Sequence, residues 1–480
     1  MRVTPMTPQH VRAGQLTVFA PTSATMAAMA AAPLDPRRLS YDQRDRARAA
    51  ASDLILNHLD APLPSPWIGL TVDLAGATPD SVAETLRRFV TRHESLRSGI
   101  TLTDCGDEER RTIAGSDYDL TTHALGWGST HENFARLQRV LAATTRAIQW
   151  PAHGFATISE PDRPEVPTRL VIAVDHSTYD GLSAYLNLAE LPAIHDAVLR
   201  REPPTEPAIS FVDFAEEERA IGERMGPEET RLRPWRRLVG HGRELPGLPT
   251  SMGVARGEPH PHAMLSLTVA TTDEADAFAD VAHAQGQTAP MAFTGLLAAG
   301  LAAQGDRVIR CLFSTHGRPC RPSMAAVGWY AAVAPLVIDL GNTHRLRDIM
   351  QTTAASWEEA QPGSVIPLGL AADLLGHPVT PALVISYIHG DRVPGHERWR
   401  STHAQIVVGD VPPSDQVHIW INRMPEGTTF DIRLPDTDRC HEWAHRVAAA
   451  SRGALLTALA AHRSDLVTDG VGPRRRSPCR

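Results

Sequence analysis

The stretch Thr168-Arg169-Leu170-Val171-Ile172-Ala173-Val174-Asp175, continuing into His176-Ser177-Thr178-Tyr179-Asp180-Gly181, decides how this chain is read. Leu170, Ile172 and Val174 alternate with Arg169, Val171 and Ala173, which predicts a strand buried on one face and partly on the other. Beyond Asp180, the segment GLSAYLNLAELPAIHDAV predicts a helix interrupted near Pro192. One histidine therefore stands at a strand end, four residues before an aspartate and a glycine. A strand end places a side chain reproducibly, and a glycine lets backbone approach closely. The competing reading is structural: His176 is one of 22 histidines, and a histidine near an aspartate can simply satisfy local hydrogen bonds.

The chemistry open to such a histidine is proton transfer. A neutral imidazole with a pKa near 6.5 can take a proton from a hydroxyl or amine as that group attacks an acyl carbonyl. Asp180 could serve as a base itself, or as an ionised carboxylate that fixes the loop carrying His176. No serine or cysteine lies in a GxSxG elbow, so a covalent acyl-serine route is not favoured. The HExxH spacing is absent, His176 and Asp180 lack a nearby third ligand, and no CxxC pair occurs, so no metal site is expected. Neither GxGxxG nor GxxxxGK[ST] is present, which weakens dinucleotide and nucleotide hydrolysis readings.

Composition bounds the rest. A chain of 480 residues exceeds what one hydrophobic core usually serves, so two domains or two halves sharing a cleft are expected. A net charge of -8 and a pI near 6.3 offer no general attraction to nucleic acid or anionic lipid. No segment approaches the roughly 18 uninterrupted apolar residues a membrane helix requires. The first residues do not read as a signal peptide. Five scattered cysteines argue against a disulfide framework and for a reducing compartment, so the expected location is cytoplasmic.

Outward from the heptapeptide, the chain divides near its middle. Toward the N-terminus, GQLTVFAP and WIGLTVDLAG read as strands, and Arg44 to His58 as a helix. Thr78 caps a helix with Pro79 at its first position, and His131 to Trp150 forms another. Residues 200–259 are rich in Pro, Gly, Glu and Arg but contain ISFVDFAEEERA and RLRPWRRLVG, so they read as a structured connector. MLSLTVA, VIRCLFSTHGR, VAPLVIDL, ALVISY, QVHIWINRM and TTFDIRL then continue a strand series among helices, closed by a helix from Cys440 to Leu459. The expected divisions are an N-terminal subdomain 1–195, a connector 196–261, a C-terminal subdomain 262–462 and a disordered tail 463–480.

The stretch VIAVDHSTYDGLSAY resembles the HHxxxDG signature of the condensation-domain superfamily, and its DHxxxDG form looks closer to polyketide-associated acyltransferases of actinobacteria. LSYDQ at 39–43 is similar to the family's LSxxQ segment, and RHESLRS at 92–98 to its RHExLR element. SFVDFAEEER, PWRRLVG, STHGRP and VGWYAAVAPLVI match further segments in the expected order. The resemblance implies an α/β (α+β) architecture of two chloramphenicol-acetyltransferase-like sandwich subdomains in a V-shaped pseudo-dimer, with a tunnel between them. It implies a stand-alone acyltransferase, moving an acyl group from coenzyme A or a carrier-protein pantetheine thioester to an alcohol or amine. No tightly bound cofactor is expected, and an acyl or peptidyl carrier protein is the implied partner.

On the matched positions His176 is the catalytic histidine, Asp180 holds its loop and Gly181 preserves the turn. Arg97 and Arg318 are both candidates to pair with Asp180. Asp175, Tyr179, Thr288, Ser386 and Gln405 are candidates to line the acceptor or pantetheine path, with His403 beside them. Capping or surface hydrogen bonding is the alternative for Thr288, Ser386, Gln405 and His403, and Tyr179 and Trp329 read better as core. The chain departs from the pattern at Asp175, in place of the first histidine, at His316, in place of the Asn of NGR, and at Ala332, where Asn is common. Two other functions compete: a catalytically silent carrier-binding domain, and a heterocyclization-like enzyme using the DxxxxDxxS spacing of Asp175, Asp180 and Ser183.

Overall fold

The computed structural model describes residues 3–56, 66–103, 105–240 and 252–468. The first half runs β1 (Val3–Pro5), β2 (Gly14–Pro21), α1 (Ser23–Ala31), α2 (Tyr41–Leu56), β3 (Trp67–Leu74) and α3 (Pro79–Arg92). It continues through β4 (Ser98–Leu102), β5 (Glu108–Thr112), β6 (Leu120–Gly128), α4 (Thr130–Thr144), β7 (His153–Ser159), β8 (Thr168–Asp175) and α5 (Gly181–Leu199). Two connector helices follow, α6 (Phe211–Gly222) and α7 (Arg233–Val239). The second half begins with β9 (His262–Ala270), α8 (Thr272–Ala284), α9 (Ala289–Ala302), β10 (Val308–His316), β11 (Ala331–Asp339), α10 (Leu346–Ala360) and α11 (Leu368–Leu375). It ends with β12 (Leu383–His389), β13 (Gln405–Val408), β14 (Val417–Met424), β15 (Gly427–Pro435) and α12 (Asp438–Thr468).

These elements build two α/β lobes, each around its own sheet. The first sheet has the order β1-β13-β3-β8-β7-β2-β6, and the second β11-β10-β12-β14-β15-β9. Alternation in β8 does what its sequence predicts. Leu170, Ile172 and Val174 join a core with α3 and α5, while Val171 and Ala173 face Leu137 and Leu141 of α4. In the second lobe Val417, Ile419 and Ile421 of β14 and Phe430, Ile432 and Leu434 of β15 pack beneath α8, α9, α10 and α12. Strand geometry then forces His418, Trp420 and Asn422, with Asp431 and Arg433, onto the opposite face. Tyr185 of α5 feels the charge of Asp431, so this polar face lies over the first lobe.

Several sequence expectations change. The chain does not divide cleanly at 195 and 262, because β13 pairs with β1 and β3 in the first lobe's sheet. Helix α5 continues through Pro192 instead of breaking there; the proline and residues on both sides of it are buried, and packing outweighs the lost N-H. The helix expected from His131 to Trp150 stops at Thr144. The closing helix begins at Asp438 and continues to Thr468, beyond the expected start of the tail at 463. Residues 469–480, and parts of the expected helix end at His58 and of the connector, lie outside the described residues. No helix among the described residues is long and apolar enough to cross a membrane.

Candidate active site

Asp180 sits at the junction of the lobes. It is the N-cap of α5, its carboxylate accepting from the Ser183 amide at 2.7 Å. The same carboxylate takes a bidentate pair from Arg318 at 2.9 and 3.1 Å, and the Tyr330 amide at 3.0 Å. Burial alone would raise this carboxyl; Arg318 and the Ser183 donor outweigh it and hold the group below the ordinary aspartate range. Arg318 also donates to Ser183 Oγ and the Ala326 carbonyl, and lies over the Tyr330 ring. Both side chains are sealed from solvent, so Asp180 is scaffolding and not a free base. The partner left open by the sequence is Arg318. Arg97 instead donates to the Ile113 carbonyl and does not reach Asp180.

This ion pair is one of several clamps on the segment 326–330 of the second lobe. Ser95, from RHESLRS, donates to the Val327 carbonyl at 2.8 Å, and Ser183 Oγ exchanges bonds with Gly328. A Cβ at Gly328 would stand 2.4 Å from the Phe211 ring, so close approach requires the glycine. The effect is to lay Trp329 against His176, with ring centroids 4.3 Å apart. Trp329, expected in the core, is a wall of the site.

His176 begins the short turn after β8. The turn is held by Asp175, which accepts from the Ser177 amide at 2.8 Å, and by Gln43, which donates to the Ser177 carbonyl at 2.8 Å. Arg110 in turn donates to Gln43 at 2.6 Å. The imidazole remains partly exposed, and its Nδ1 has no hydrogen-bond partner among the described residues. Burial lowers its pKa; its own carbonyl, Asp175 and Asp180 oppose this, and the Arg46 cation reinforces it. The ring is thus neutral near pH 7, the form a general base needs. No hydroxyl or thiol among the described residues hydrogen-bonds to it. A Cβ at Gly181 would meet nothing within 4 Å, and its φ is not positive. The turn does not need this glycine, which faces open space at the first turn of α5.

The remaining candidates separate. Asp175 is fully buried and committed to Arg46 at 2.7 Å, and Tyr179 is fully buried with its hydroxyl on Asn187, so neither presents a free face to a substrate. Thr288 is exposed at the start of α9, on the face of the second sheet away from His418. Gln405 approaches Thr71 of β3 at 3.5 Å, and His403 pairs with Asp73; neither is joined to His176. Ser386 does belong here, 3.0 Å from His418 Nε2. His418, which sequence reasoning missed, is held well below the usual histidine range, first by burial and then by the Arg433 cation. Gln43 lay within the recognised LSYDQ segment, whereas nothing local marked Arg46, His418 or Arg433. No group of three or more His, Cys, Asp or Glu among the described residues is placed to hold a metal ion.

The two-lobed arrangement is the fold of the condensation-domain superfamily, as the motif resemblance implied. No family model matches the chain. The solved structure of a PapA2 acyl transferase superposes with a TM-score of 0.82 at 17% identity, covering 96% of this chain and 100% of that one. The first condensation domain of the CDA synthetase gives 0.62 at 14% identity over 87% and 96% of the two chains. The epimerization domain from the third module of tyrocidine synthetase B gives 0.64 at 13% identity over 89% and 98%. In sequence, the chain is 20% identical over 380 residues to the trehalose-2-sulfate acyltransferase PapA2 of Mycobacterium tuberculosis strain H37Rv, over 76% of this chain and 78% of that protein.

Proposed function

We propose that this protein is an acyltransferase that moves an acyl group from a coenzyme A or carrier-protein pantetheine thioester to an alcohol or amine. The observation that carries the reading is the neutral, partly exposed His176 at the lobe junction, laid against Trp329 of the other lobe and with no protein nucleophile bonded to it. The fold shared with PapA2 and condensation domains supports the same chemistry.

In the proposed reaction, His176 accepts the proton of the acceptor O-H or N-H while that heteroatom attacks the thioester carbonyl. The new C-O or C-N bond forms, the carbonyl electrons move to oxygen, and amides at the start of α5 stabilise that charge. Collapse breaks the C-S bond, and the imidazolium returns its proton to the leaving thiolate. Atoms balance without a covalent enzyme intermediate. Asp180 and Arg318 act by positioning, because they lock the turn of His176 to the segment that carries Trp329. A donor on a carrier protein would make that protein a partner, and the reading places the chemistry in natural-product or lipid biosynthesis in the cytoplasm.

The test is intact-mass detection of transfer from a panel of acyl thioesters to alcohol and amine acceptors. Loss of its general base should slow His176→Ala by about a hundredfold or more. Product formation by the variant at the wild-type rate would refute the role. Carrier binding without turnover by the wild type would favour the silent interaction domain.

A further inference from the structure

Two arginines of the first lobe stand behind the turn of His176, and the mechanism above uses neither. Arg110 of β5 is 3% exposed, and its Nε and Nη1 are buried without a partner among the described residues. Burial draws its pKa down to about 10, which still leaves it charged at neutral pH. The acids whose charge reaches it are engaged elsewhere: Arg37 holds Asp35 at 2.7 Å and Glu94 at 3.0 Å, and Arg38 holds Glu216 at 2.6 Å. Arg110 donates instead to Oε1 of Gln43, at 2.6 Å. A guanidinium is costly to seal from water without a carboxylate, so a neutral amide is an unusual partner for it.

That partnership settles both ends of the amide. Gln43 Oε1 accepts from Arg110 and from the Ser40 amide at 3.2 Å, which turns Nε2 toward the Ser177 carbonyl at 2.8 Å. A charged donor on the oxygen also polarises the amide and strengthens its N-H as a donor. Asp175 holds the other backbone group of the same residue. Its Oδ1 accepts from the Ser177 amide at 2.8 Å, and its Oδ2 accepts from Arg46 of α2 at 2.7 Å. Asp175 is fully buried, so Arg46 is the counter-charge its carboxylate requires. Ser177, the residue after the histidine, is thus gripped at both its N-H and its C=O, and each grip is backed by an arginine. The Arg46 cation also opposes protonation of the imidazole.

We propose that Arg46 and Arg110 are positioning residues for His176, fixing the residue beside it through Asp175 and Gln43 so that the imidazole is held where the lobes meet. A base displaced by roughly 1 Å loses much of its rate, so a turn fastened on both sides has a use in catalysis that packing alone does not require. The clamp stands on the hydrogen bonds, whereas its service to proton transfer rests on the acyl-transfer reading.

Hydrogen exchange read by mass spectrometry on the full chain tests the clamp apart from turnover. In Arg46→Met and in Arg110→Met, peptides covering 176–180 should exchange about tenfold faster or more. Wild-type exchange there in either variant would overturn the clamp for that arginine. Arg46→Met/Asp175→Asn removes both charges and keeps an amide oxygen for Ser177, so it gives the same reading where Arg46→Met fails to fold. Arg110→Met should keep the denaturant midpoint of the wild type, because an unpaired buried charge goes and Gln43 Oε1 retains the Ser40 amide. With a thioester and acceptor that the wild type turns over, it should nevertheless lower kcat about tenfold or more at unchanged KM. Arg46→Lys should recover most of the kcat that Arg46→Met loses. Arg110 acts through Gln43, so Arg110→Met should lower kcat no further in a Gln43→Leu background. Wild-type kcat in both methionine variants, or full additivity with Gln43→Leu, would overturn the positioning role. Absence of acyl transfer by the wild type would instead reject the function, and the exchange measurement would still decide the clamp.

Discussion

Replacing Asp180 by alanine removes the acceptor for four hydrogen bonds, two from Arg318 and one each from the Ser183 and Tyr330 amides. Arg318 would keep Ser183 Oγ and the Ala326 carbonyl, but its charge would stay buried without a carboxylate. Orphaning one member of a buried pair costs about 3 to 5 kcal/mol, and the lost N-cap falls within that figure because the same oxygen serves both. Arg318→Met leaves a carboxyl that can escape by taking a proton, so its cost should shrink as pH falls toward 4, whereas that of Asp180→Ala should not. The double variant removes both charges, and its cost should fall short of the sum of the singles by about 2 kcal/mol or more. Denaturant unfolding of the four proteins at pH 7.5 and 5, followed by separate probes in each lobe, measures this coupling. Additivity within about 0.5 kcal/mol would refute the claim that this pair couples the lobes.

Gly181→Ala should fold normally, since backbone and space both admit a methyl group, yet lower kcat/KM by filling the open space at the first turn of α5; unchanged kinetics would show that this space is not used. The pKa of His176 lies below 6.5, so kcat/KM should hold from neutral pH into mildly acidic buffer and fall only as the ring protonates; a decline that begins above pH 7 would contradict the neutral base. Stability has a matching acid limb. Burial lowers His153 to about 3, so between pH 6.5 and that value the unfolded chain binds a proton the folded chain does not, and stability falls with falling pH. His153→Phe should flatten that limb in pH-dependent denaturant titrations, and an unchanged slope would exclude His153 as its source.

Much of the site was legible in the sequence because it is local. The alternation of Leu170, Ile172 and Val174 fixes which face of β8 is buried, whereas the capping of α5 by Asp180 is seen only in the structure. That alternation, with the helix expected beyond Asp180, sets His176 at a strand end. The recognised LSYDQ, RHESLRS and VGWY segments found their physical meaning as clamps: Gln43 on the histidine turn, Ser95 and Ser183 on Val327 and Gly328. The break expected at Pro192 failed because a local rule was outweighed by the burial of Leu191, Pro192 and Ile194.

The sequence alone determined two mixed α/β halves and the strand that carries His176, since spacing of a few residues governs burial. Tertiary structure alone decided that Arg318 and not Arg97 meets Asp180, 138 residues away, that β13 crosses into the first sheet, and that His418 and Arg433 face the cleft. Periodicity says which face of a strand is polar. What that face meets depends on how the two lobes dock, and no local pattern encodes a contact across more than a hundred residues.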